Sequence, residues 1–74
     1  MDLVVLSGKV CSKCDTLKKQ LKEKCMDYRE VDMMSKEGMT IVKNNGVKSI
    51  PQVLVDGELI KKEFWGSILG IYND

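Results

Sequence analysis

The chain has no histidine, a single proline and few aromatic residues: one tryptophan, one phenylalanine and two tyrosines. Each shortage removes a class of function. A closed zinc site takes four ligands, usually Cys or His. Three cysteines and no histidine leave one chain short of that set. Three is also an odd number, which argues against the disulfide scaffolds of small secreted domains. No sign of charge dominates, and a net charge of +1 gives no global field to draw nucleic acid or an anionic membrane. Lysines do cluster between Lys9 and Lys24, but Asp15 and Glu23 interleave with them, as on a solvated helix face. No stretch approaches the ~20 apolar residues of a membrane span. The short apolar run near Met1 carries Asp2 and does not form a secretory h-region. The expected location is therefore cytoplasmic, with no nucleic-acid or membrane partner.

What is present suffices for one small core. A chain of 74 residues makes a single domain, 1–74, that buries only about 60% of its unfolded surface. Residues 2–6 read as a buried strand, because Leu3-Val4-Val5-Leu6 is apolar without alternation. Ser7-Gly8-Lys9-Val10 is a loop. From Ser12 to Lys24 the pattern is helical: Cys14, Leu17, Leu21 and Cys25 recur at three- and four-residue steps. On that stripe Cys25 is expected to pack in the core as a small hydrophobe. Residues 27–32 form a short strand. Ser35 caps a second helix running to Asn44, with Met39 and Val42 facing inward, and Asn45-Gly46 terminates it.

Gln52-Val53-Leu54-Val55 is a strand, Asp56-Gly57 a hairpin turn, and 58–61 the returning strand. Phe64, Trp65, Ile68, Leu69 and Tyr72 have helical spacing and suggest a last helix packed on the sheet, weakened by Gly66 and Gly70. Met33, Met34 and Met39 read as core or rim filling in preference to a partner surface. The order is βαβαββα. Layer packing and right-handed crossover favour an α/β fold with one mixed sheet and helices on both faces.

The chemistry resides in Cys11-Ser12-Lys13-Cys14, placed between a strand and a helix start. This spacing brings two sulfurs within bonding reach when the second lies one helical turn in. A helix N-terminus, with Lys9 and Lys13 close in sequence, favours the thiolate of Cys11. Cys14, further in, suits a thiol that resolves a mixed disulfide. Ile50-Pro51 is the second signal. Proline opening a strand gives up a ladder donor. On the residues alone it is either an ordinary trans proline in a loop or a cis bond that exposes the backbone of Ile50.

Together these residues resemble the glutaredoxin family within the thioredoxin-like fold, over nearly the whole chain. Cys11-Ser12-Lys13-Cys14 fits the dithiol site. Gly46-Val47-Lys48-Ser49-Ile50-Pro51-Gln52-Val53 resembles the segment around the family's cis-proline, and Val55-Asp56-Gly57 the strand and turn that follow. The resemblance implies a thioredoxin-like, four-stranded mixed sheet flanked by three helices. It implies that Cys11 is the nucleophile, Cys14 the resolving thiol and Pro51 cis, with the backbone of Ile50 meeting the substrate. Lys9 matches a basic residue ahead of the motif. Ser12 and Lys13 lie within the motif, and Lys48 and Gln52 flank the substrate site.

The implied activity is dithiol–disulfide oxidoreduction on protein or glutathione mixed disulfides, with no tightly bound cofactor and glutathione as a reducing co-substrate. The expected state is a monomer. The sequence departs from the family at Ser12-Lys13, where many members carry Pro-Tyr, and at Lys61-Lys62-Glu63-Phe64, where many carry a glycine pair and then an aspartate. In these respects it looks like the small glutaredoxin-like electron donors of ribonucleotide reductase, some of which draw electrons from thioredoxin reductase in place of glutathione. Two other readings keep the fold. One is an iron–sulfur-cluster-binding module, against which Cys14 counts; the other is an interaction module without turnover, against which the intact dithiol counts.

Overall fold

The computed structural model describes residues 2–71. Strands β1 (Leu3–Ser7), β2 (Arg29–Asp32), β3 (Gln52–Val55) and β4 (Glu58–Ile60) alternate with helices α1 (Ser12–Glu23), α2 (Lys36–Asn45) and α3 (Trp65–Leu69). They form one sheet in the order β2-β1-β3-β4. β1 pairs in parallel with β2 from Val4↔Arg29 to Ser7↔Asp32, which α1 makes possible as the crossover. β1 pairs antiparallel with β3, Leu3↔Val55 to Leu6↔Gln52, and β3 with β4, Val53↔Ile60 to Val55↔Glu58. This is the expected mixed, four-stranded, thioredoxin-like arrangement.

β1 is an interior strand, which explains its unbroken apolar run. Leu3 and Val5 point to one face and join Leu17, Leu21, Val53, Trp65, Leu69 and Ile71. Val4 and Leu6 point to the other and join Val31 and Leu54, with Ile41, Val42, Val47 and Ile50 packed against them. Each fully buried Leu or Val contributes about 1.5–3 kcal/mol relative to exposure. Ser7, expected in a loop, ends β1 instead, and β2 is shorter than the 27–32 anticipated.

α1 ends earlier than its apolar stripe. The amide of Cys25 donates to the carbonyl of Lys22 and that of Met26 to Leu21, each at 3.0 Å, a Schellman closure. It puts Cys25 in the left-handed region at φ 55°. Cys25 is therefore exposed, not packed in the core. Met26 packs instead against the core cluster that contains Leu17 and Leu21.

In α2, Ser35 is the N-cap as anticipated, its Oγ accepting the Gly38 amide at 3.0 Å, and Gly46 closes the helix at φ 61°. The inward stripe is Gly38, Ile41 and Val42. Met39 lies one position, about 100°, off that stripe and is exposed, contrary to expectation. The third helical region divides into a 3₁₀ turn, Lys62–Phe64, and the short α3, closed by Gly70 at φ 68°. Trp65 and Leu69 face inward, and the Trp65 Nε1–H donates to the Ile60 carbonyl at 3.1 Å. Phe64 and Ile68 fall one position, about 100°, off that side and are exposed rather than packed on the sheet. Tyr72, expected on this helix, lies outside the described residues. No helix among the described residues is long and apolar enough to cross a membrane.

Candidate active site

The register brings four chain segments to one end of the sheet: the C-terminal ends of β1, β2 and β4 and the start of β3. At this end β1 leads through Gly8 to Cys11, which is the N-cap of α1 in an extended conformation, φ −154° and ψ 97°. Cys11 Sγ accepts the Cys14 backbone amide at 3.1 Å. That bond and the helix N-terminus behind it place partial positive charge at this sulfur.

Cys11 and Cys14 are joined in a disulfide with Cα atoms 5.2 Å apart. Their exposure differs sharply. Cys11 is partly open to solvent, while Cys14 is 1% exposed and faces the core one helical turn in. Ser12 and Lys13, between them, are both exposed.

The second segment comes from the start of β3. The Ile50–Pro51 bond is cis, as the family resemblance implied. Pro51 is buried, and Gln52 opens the strand opposite Leu6. The Gln52 Nε2 group donates to the Ser49 carbonyl at 3.0 Å and so folds back over its own loop. Gly8 explains how closely the two segments meet. A Cβ at Gly8 would lie 2.7 Å from Ile50 Cδ1 and 3.8 Å from Met33 Sδ. A side chain at this position would push the end of the Ile50 side chain aside. Lys9 and Lys48 sit exposed on these two loops. The structure thus gathers Lys9, Cys11, Ser12, Lys13, Cys14, Lys48, Ile50, Pro51 and Gln52 at one end of the sheet.

A polar clamp beside the site has no counterpart in the sequence reading. Buried Ser7 donates its hydroxyl to Glu30 Oε2 at 2.8 Å, and Lys18 Nζ donates to the same oxygen at 2.9 Å. Lys18 also lies 3.5 Å from Asp15 in the first turn of α1. The hydrogen bonds from Lys18 and then Ser7 hold the Glu30 carboxyl below its ordinary range. The bond to Glu30 raises Lys18 above its own. The clamp ties α1 to β1 and β2 just behind the cysteine pair. Ser7 and Glu30 are 23 positions apart in sequence, so only the strand register reveals their meeting. Among the described residues, no group of three or more His, Cys, Asp or Glu side chains converges on a metal-sized site.

The fold defines a thioredoxin-like protein. It superposes on a point mutant of the thioredoxin-like protein BC3987 with a TM-score of 0.79 and 24% identity, over 95% of this chain and 96% of that one. It superposes on glutaredoxin 1 from Francisella tularensis, complexed with cacodylate, with a TM-score of 0.68 and 17% identity, over 95% and 98% of the two chains. For a buckwheat glutaredoxin–glutathione complex the TM-score is 0.64 and the identity 24%, over 78% of this chain and 57% of that one. Similarity at this level speaks for the fold alone. No curated protein matches the chain. The family follows from the sequence: the model of the glutaredoxin family matches residues 3–60, and the chain belongs to that family. Family, fold and the Cys11–Cys14 pair together support a thiol–disulfide oxidoreductase.

Proposed function

We propose that the protein is a dithiol–disulfide oxidoreductase that reduces protein or glutathione mixed disulfides in the cytoplasm. The observation that carries this reading is the unequal exposure of two bonded sulfurs at a helix mouth. One is open to a visitor, and the other is buried behind it.

In the reduced form the Cys11 thiolate attacks one sulfur of a substrate disulfide. A Cys11–substrate mixed disulfide forms and the first substrate thiolate leaves. Cys14, as thiolate, then attacks Cys11 Sγ, closes the intramolecular disulfide and expels the second substrate thiolate. The substrate gains two electrons and two protons, and the protein ends in the closed state with Cys11 and Cys14 joined. The backbone of Ile50 borders the approaching chain, Pro51 and Gln52 hold that backbone in place, and Lys9, Ser12, Lys13 and Lys48 form the rim. Glutathione or thioredoxin reductase supplies the electrons for the next cycle, and ribonucleotide reductase is a candidate protein substrate. The Lys61-Lys62 pair, standing where a glycine pair would let glutathione approach the backbone closely, supports a protein reductase as donor.

Cys11→Ser is expected to abolish disulfide reduction; full turnover in that variant would reject the assignment. Cys14→Ser is expected to accumulate a mixed disulfide, visible as an adduct by intact mass. Supplying the oxidised protein in parallel with glutathione plus its reductase, and with thioredoxin reductase, identifies the donor by which arm restores two free thiols.

A further inference from the structure

The net charge of +1 hides a strong separation. The end of the sheet that bears the cysteine pair carries Lys9 and Lys13 on the loop and first turn beside it and Lys48 ahead of Pro51. Lys61 and Lys62 follow Ile60, which pairs with Val53 next to the start of β3. The acids at this end are mostly engaged: Asp15 and Glu30 with Lys18, Glu37 with Arg29, and Asp32 with the Met34 amide at 2.7 Å, while Glu63 stands beside Lys62.

The opposite end carries Asp2, Asp27, Asp56 and Glu58 at the strand starts and the β3–β4 turn. The cations there are Lys22 and Lys24 at the end of α1 and Arg29, and Arg29 is paired with Glu37 at 2.8 Å. Among the described residues the ion pairs engage Lys18 and Arg29, and none engages the five lysines around the dithiol.

Apolar groups accompany this charge. Val10, the residue before Cys11, is 98% exposed, and Met34, in the turn after β2, is 69% exposed. Neither is needed to close the core. Gly8, Met33 and Ile50 lie close together, so the loops that carry Val10 and Met34 meet at the same end of the sheet as the dithiol.

We infer that this end is a docking surface for an extended polypeptide segment whose disulfide is flanked by acidic and apolar side chains. This rests on the reductase reading above and names its preferred substrate. The lysines attract and orient the acidic flanks, and Val10 and Met34 cover the apolar ones. Steering by such a patch raises association rates by about 10-fold or more and weakens steeply with salt. Glutathione has carboxylates but no apolar side chain to meet Val10 and Met34, so a peptide fits the surface better.

The test compares two peptides that share one disulfide, one flanked by Glu and Leu, the other by Lys and Ser. A glutathionylated form of a neutral peptide serves as third substrate. The rate constant for reduction by the pre-reduced protein is measured at low and high salt. The acidic, apolar peptide is expected to react about tenfold faster at low salt. That ratio should fall toward one at high salt, in Lys61→Glu/Lys62→Glu and in Val10→Ser/Met34→Ser. It should survive in Glu58→Lys at the far end. A defect in chemistry lowers both rates and leaves the ratio alone, so the ratio reads docking. Equal rates for the two peptides, or a ratio that ignores these variants, overturn the inference while leaving the reductase reading intact. Charge and salt dependence confined to the glutathionylated substrate also overturn it, because the surface then serves glutathione. No reduction of any of the three overturns the reductase reading itself.

Discussion

The two faces of the sheet are built differently. Beneath α1 and α3, the side chains of Leu17, Leu21, Trp65, Leu69 and Ile71 are all sealed from water. Beneath α2, the strand residues and Gly38 are sealed, and Ile41, Val42 and Val47 remain half-exposed. The first face carries the helix on which both cysteines sit; the second carries the segment leading to Ile50 and Pro51. A nucleophile has to be held in place, and α1 is held by a closed core and by the Ser7–Glu30–Lys18 clamp. α2 relies instead on a cap and on close backbone approach at its first turn, where a Cβ on Gly38 would overlap the Asp32 carbonyl.

The largest effect that contrasts the faces is truncation. Leu17→Ala is expected to cost about 2–5 kcal/mol in denaturant unfolding, and Ile41→Ala across the sheet only about 1 kcal/mol. Similar losses from both would erase the distinction. Next comes Gly38→Ala. The added methyl forces α2 away from β2, and a loss of about 2–3 kcal/mol is expected although only one small group is added. If urea unfolding of this variant matches the parent, α2 is held by its side chains after all.

The clamp is a smaller matter, because Glu30 is nearly half exposed and water screens the pair. Glu30→Gln should cost about 0.5–1 kcal/mol near neutral pH. The folded state holds the Glu30 carboxyl low, so its contribution is complete above the unfolded carboxylate range of about 4.3 and fades as pH falls through the folded value. The partner works in the other direction: raised Lys18 contributes below about 10.4 and loses its share as pH rises through its folded value. The stability difference between parent and variant is therefore expected to be flat between these limits and to shrink on acidification. Smallest, and of opposite sign, is Cys25→Gly. Relief of a left-handed non-glycine residue should raise stability by about 0.5 kcal/mol, read as a small upward shift in Tm.

Much of this architecture was legible because periodicity and burial agree. The β1 run, the Cys14–Leu17–Leu21 stripe, the Ser35 cap and the Asp56-Gly57 turn are local signals with local causes. The errors also have local causes. The stripe through Cys25 was extended past a helix end, because a Schellman closure depends on backbone dihedrals that residue types do not specify at Lys24-Cys25. Met39, Phe64 and Ile68 are apolar residues one step off the buried seam, where spacing alone cannot choose between neighbours. The dithiol is legible from its spacing, and the role of the proline from the resemblance of residues 46–53 to the family's segment. That Lys61 and Lys62 share an end with them is not legible, since it depends on how β4 pairs with β3. Ser7 and Glu30 meet through the parallel β1–β2 register, which no stretch of sequence announces.

The unsealed end of α1 has a practical corollary. With Cys11 and Cys14 bonded to each other, Cys25 is the one free thiol, and the helical residues 15–23, at ~1.5 Å apiece, stand between it and Cys14. A maleimide dye added to the closed form should therefore mark that far position only. Any titration with a thiol reagent should count one group before reduction and three after, so that the change, not the total, measures the redox state.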